Sequence, residues 1–146
     1  MKPQLNIITL GVTSLQRSLQ FYSDGLGWRP SSASQGDIVF FKLGTVVLAL
    51  YPREKLAEDA RVSPFGQGFS GFTLAYNTRS KEEVDEILKV AESVGATIAK
   101  QAENVFWGGY SGYFTDPDGY LWEVAWNPFF ELSEDGSLVL PLPESL

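Results

Sequence analysis

A chain of 146 residues has the usual size of one domain, or of two small modules packed as one unit, and can bury a core without disulfide or metal staples. Hydrophobic residues at 44% and charged residues at 20% exclude a disordered or fibrous protein, and a net charge of −7 without a basic cluster argues against nucleic acid as a partner. Cysteine and histidine are both absent, which removes disulfides, thiol nucleophiles, the commonest metal ligand and the commonest general base.

Leu5–Val12 alternates as a strand, with Ile8, Leu10 and Val12 on one face and Ile7, Thr9 and Gly11 on the other. Met1–Gln4 lead into it without a charged-then-apolar leader, and no apolar run approaches membrane-spanning length, so a cytoplasmic protein with no membrane partner is expected. Thr13 with Gln16 has the form of a capping box. Leu15, Leu19, Tyr22 and Leu26 then recur at helical spacing until Gly25 and Gly27 stop the helix. Strands are predicted at Trp28–Ser32, Asp37–Leu43 and Thr45–Tyr51, the last two joined at Gly44 as a hairpin. Residues 52–69 contain charges, Pro64 and glycines without a sustained period and read as a linker.

The order then begins again. Ser70–Tyr76 alternates as a strand, Ser80 with Glu83 forms a second capping box, and Val84, Ile87, Leu88, Ala91 and Val94 make an apolar helical stripe that Gly95 ends. Strands are predicted at Thr97–Gln101, Gly109–Thr115 and Tyr120–Trp126, with Asp116-Pro117-Asp118-Gly119 as a tight turn. The expected fold is α+β: two βαβββ modules in tandem, at about 5–51 and 70–126, forming a curved mixed sheet around a shared cavity with the helices on the outer face. Residues 127–146, with three prolines, read as a C-terminal extension.

This order, with Phe21-Tyr22, Leu26-Gly27-Trp28 and Asp116-Pro117-Asp118-Gly119-Tyr120-Leu121-Trp122-Glu123, resembles the vicinal oxygen chelate superfamily. The resemblance covers roughly residues 5–127 and is nearest to its glyoxalase / bleomycin-resistance / dioxygenase proteins, chiefly through Trp107–Phe114. Enzymes of that superfamily hold a divalent metal with four side chains, two from each half. Carried over by position, those ligands fall at Ile7, Ala49, Gly71 (or Phe72) and Glu123. Only Glu123 offers a donor, so the resemblance implies a site without metal or other cofactor. It also implies a homodimer.

Twenty aromatic residues (ten Phe, six Tyr, four Trp) exceed what so small a core needs, so some are expected to line a pocket. Trp107 and Tyr110 flank a glycine pair that permits close approach of a ligand, and Tyr113 follows on the next strand; these three are read as aromatic walls beside Ile7, Ala49 and Gly71. Two readings of Glu123 stay open: a partly buried carboxylate acting as general acid or base, or one tied down by a Tyr, Trp or Thr donor. Arg17, Arg53, Arg61 and Arg79 read as solvated, with Arg53 within reach of the cavity rim. The function expected is metal-independent binding of a small, largely apolar or aromatic organic ligand. Two rivals are a lyase, isomerase or dioxygenase using Glu123 or an unrecognised metal set, and a partner-binding subunit with a closed cavity.

Overall fold

The computed structural model describes residues 1, 3, 6–70 and 72–140. The chain divides into two compact units. Unit 1 comprises Met1–Phe72 together with the turn Asp116–Gly119, and unit 2 comprises Thr73–Thr115 and Tyr120–Leu146. Among the described residues the architecture is mixed α+β, with three α-helices and open mixed sheets.

Unit 1 is built on strands β1 (Ile7–Val12), β2 (Val39–Leu43) and β3 (Val46–Pro52) in the order β1-β3-β2, with β1 parallel to β3 and β2 antiparallel to it. Gly44, at φ +61°, makes the β2–β3 hairpin turn. Alternation puts Leu10, Val12, Leu48, Leu50, Val39 and Phe41 on one face, and all six are buried. Helix α1 (Leu15–Leu19) starts one residue later than the capping-box reading placed it. Ser14, not Thr13, is the N-cap, its hydroxyl accepting from the Arg17 amide. Thr13 is engaged elsewhere: its amide and hydroxyl both donate to Asp118, at 2.9 and 2.8 Å. The helix continues as a π-helical segment, Gln20–Gly25, in which the Leu26 amide reaches back to the Phe21 carbonyl. That widening turns Phe21 and Tyr22 into the core, where Tyr22 stacks on Trp28 at 5.3 Å.

Two features of unit 1 depart from or add to the sequence expectation. No strand forms at Trp28–Ser32, where the indole of Trp28 packs on Tyr22 and Phe41 instead of its backbone joining a ladder. The linker contains helix α2 (Arg53–Ala60), whose charged sequence buries only Ala57 and so carries no apolar stripe to read. Arg61, at φ 57°, ends it in the left-handed region.

Unit 2 carries β4 (Leu74–Thr78), helix α3 (Lys81–Ser93), β5 (Thr97–Asn104), β6 (Tyr110–Thr115) and β7 (Leu121–Trp126), with strand order β4-β7-β6-β5. The Ser80 hydroxyl caps α3 by accepting from the Glu83 amide, and the Glu83 carboxylate reaches back to the Arg79 amide. Val84, Leu88 and Ala91 are the buried stripe of α3, which lies on β5, β6 and β7. The helix sits close over Gly112: a Cβ there would stand 2.6 Å from Leu88 Cδ1 and 2.9 Å from backbone atoms of Lys100 and Ala102. The C-terminal extension includes a small hairpin, β8 (Glu131–Leu132) with β9 (Leu138–Val139), to which Arg79 is bonded through the Ser133 carbonyl. Among the described residues no helix is long and apolar enough to cross a membrane.

Candidate functional site

The site is set by the β6–β7 hairpin. In its turn the Gly119 amide donates to the Asp116 carbonyl at 3.0 Å, the Asp118 amide donates to the Asp116 carboxylate at 2.9 Å, and Gly119 takes φ +87°. This closure places Thr115 opposite Leu121 and therefore Tyr113 opposite Glu123. The phenol of Tyr113 donates to Glu123 Oε2 at 2.5 Å, and both residues are half-buried. The other carboxylate oxygen, Oε1, accepts nothing among the described residues. Bonding to Glu123, followed by burial and by the carboxylate's charge, pushes the Tyr113 phenol up to about 12. At neutral pH the phenol therefore keeps its proton and acts as a donor, leaving the carboxylate with one oxygen for a further partner.

Alternation puts Glu123 on the face of β7 that also carries Leu121 and Ala125, and Tyr113 on the matching face of β6 with Ser111 and Thr115. The opposite face, with Gly112, Phe114, Trp122 and Val124, is the one covered by α3.

The structure does not bring all three expected aromatic walls to that face. Tyr110 lies an odd number of residues from Tyr113 and turns to the helix side, where its hydroxyl donates to Asp85 of α3 at 2.7 Å. That bond, more than burial, raises its pKa. Lys81 lies over both rings of this corner, 5.7 Å from Tyr110 and 5.5 Å from Trp126, and donates to Asn104. Tyr110 thus fastens α3 to its sheet. Trp107 stands in the β5–β6 turn, where the Val105 amide donates to the Gly109 carbonyl. Its indole fills the place of a side chain at Gly109, within 2.1 Å of where a Cβ would be, and Gly108 takes φ +94°. Both glycines are needed to fold the ring back on the hairpin. The indole therefore packs on its own turn, next to the start of β6.

Of the other positions assigned through the resemblance, Ile7 on β1 is 48% exposed and pairs with Val47, while Ala49 on β3 is fully buried between Thr9 and Phe40. Gly71 lies outside the described residues. The counterpart of Ile7 by position is Thr73, which sequence reading missed. Ile7 precedes the α1 cap Ser14 by seven residues, and Thr73 precedes the α3 cap Ser80 by the same seven. That spacing was a usable signal. Isoleucine and alanine carry no donor atom, and among the described residues no group of three or more Asp or Glu side chains is placed to hold a metal ion. The side chains at these positions do not fit the divalent metal of the wider group.

The family model of the glyoxalase/bleomycin resistance protein/dioxygenase superfamily matches residues 4–124. The chain belongs to this superfamily. Among solved structures, a glyoxalase-related enzyme from Fulvimarina pelagi is 33% identical, with a TM-score of 0.86 over 96% of this chain and 99% of that one. The lactoylglutathione lyase of Agrobacterium tumefaciens is 25% identical, with a TM-score of 0.65 over 86% of this chain and 95% of its own. A superfamily member from Burkholderia phytofirmans PsJN shares the fold at 18% identity, with a TM-score of 0.74 over 84% of this chain and 98% of its own. No curated protein matches the chain.

Proposed function

We propose that this member of the glyoxalase/bleomycin resistance/dioxygenase superfamily binds a small, largely apolar or aromatic organic molecule without a metal ion. Glu123 is its polar anchor, with Tyr113 and Trp107 as aromatic contacts. The observation that carries this reading is the Tyr113–Glu123 pair: the Glu123 carboxylate accepts from a phenol on one oxygen and keeps the other for a donor on the ligand. Native mass spectrometry of the full chain in EDTA, against a broad set of aromatic and apolar metabolites, tests it. A one-to-one complex that persists in EDTA and weakens in Tyr113→Phe and Glu123→Gln is expected. Tightly bound stoichiometric metal in the purified protein overturns it.

The 33% identity to the Fulvimarina pelagi glyoxalase-related enzyme favours a second reading, in which Glu123 serves as the base of an isomerase or lyase. Turnover that Glu123→Gln abolishes while ligand binding survives would select it over sequestration.

A further inference from the structure

Arg53 opens α2 in unit 1 and is held in place twice. Its stem lies on Gly11, where an added Cβ would stand 3.2 Å from the arginine Cα and 3.4 Å from its Cβ and Cγ, and its Nε donates to the Pro64 carbonyl at 2.8 Å. The two terminal nitrogens of the guanidinium remain, and among the described residues they have no hydrogen bond and no acidic partner. A pinned guanidinium without a carboxylate is a preorganised fork for a planar anion. Beside it is a cavity of about 570 Å³ bounded by Val12, Pro52, Arg53, Glu54, Pro64 and Phe65. The Phe65 side chain is 86% exposed, an aromatic ring at the mouth of that cavity with no core to bury it. The other cation lining it, Lys55, is already paired with Asp37. Glu54 on the same wall offsets part of the arginine's charge and weighs more heavily against a dianion than against a monoanion.

We propose that this cavity of unit 1 is a further binding site, for a monocarboxylic acid with a flat apolar body. Arg53 takes the carboxylate in a bidentate pair, and Phe65 with the two prolines takes the body.

The test is titration of the full chain with sodium phenylacetate, followed by amide chemical shifts. Saturable shifts at residues 12–13, 53–55 and 65–67 are expected. Arg53→Gln, and separately the neutral analogue 2-phenylethanol, should each weaken binding by about tenfold or more. Phe65→Ser changes an exposed side chain, keeps the fold, and should weaken binding several-fold. Tyr113→Phe should leave it unchanged. The proposal is overturned by Arg53→Gln and Phe65→Ser proteins that bind like the wild type, by shifts that centre on Tyr113 and Glu123, or by inorganic phosphate binding more tightly than phenylacetate.

Discussion

Ala49 in unit 1 and Glu123 in unit 2 occupy the same place in their sheets: each sits on a strand with one parallel and one antiparallel neighbour. Ala49 lies between Thr9 and Phe40, and Glu123 between Ala75 and Tyr113. Phe40 is Tyr113 without its hydroxyl, and Ala49 is Glu123 without its carboxylate. The two changes go together, as the energetics of buried polar groups require: a half-buried carboxylate needs its donor, and a donor left alone loses its purpose. Unit 2 has a polar pair at this place, and unit 1 has an apolar ring opposite a methyl group.

Making unit 1 imitate unit 2 should have the largest effect. Ala49→Glu introduces a charge at a fully buried position facing Phe40, and a loss of about 4 kcal/mol in chemical denaturation is expected. Adding Phe40→Tyr should recover about 1–2 kcal/mol through the new pair, read as the coupling in a double-mutant cycle. Gly112→Ala attacks the scaffold behind Glu123, where the new methyl meets Leu88 and two backbone atoms. It should destabilise by about 2–3 kcal/mol in the same assay. Tyr113→Phe makes unit 2 imitate unit 1 and should cost about 1–2 kcal/mol, because the carboxylate loses its donor while part of it still meets water.

The smallest effect is on pH dependence. The Tyr113 phenol is raised in the folded protein from 10.0 to about 12, so the folded state binds its proton more tightly than the unfolded state does. Its contribution is complete below pH 10 and declines as pH rises toward 12. Denaturation curves of wild type and Tyr113→Phe measured from pH 8 upward should therefore converge at the alkaline end. A constant gap across that range would show that the hydrogen bond is not what separates them.

How far these features could be read in the sequence depended on how local their causes are. The α3 cap was legible because Ser80 and Glu83 satisfy each other's neighbourhood within one turn. The α1 cap was misplaced by one residue because Thr13 answers to Asp118, 105 positions away. Trp28 has strand-like chemistry, yet its ring contacts with Tyr22 and Phe41 decide its conformation. In the site, Glu123 was legible through its motif, and its partner was legible in principle: a turn at Asp116–Gly119 that sets 115 against 121 also sets 113 against 123. The same alternation places Tyr110 on the other face, a step the glycine-flanked aromatic pattern obscured. Thr73 needed a count from the cap, since the strand before it gives no clear start.

The Asp116–Gly119 turn has a consequence for synthesis. Asp116 accepts the buried Tyr22 hydroxyl at 2.7 Å, and Asp118 holds Thr13 and Ser18 at the start of α1. A nascent chain leaving the ribosome cannot complete its first unit when residue 72 emerges. Tyr22 and Thr13 wait for acceptors encoded some hundred codons downstream, so the early half must stay open to late arrivals, and a truncated transcript would leave it unfinished.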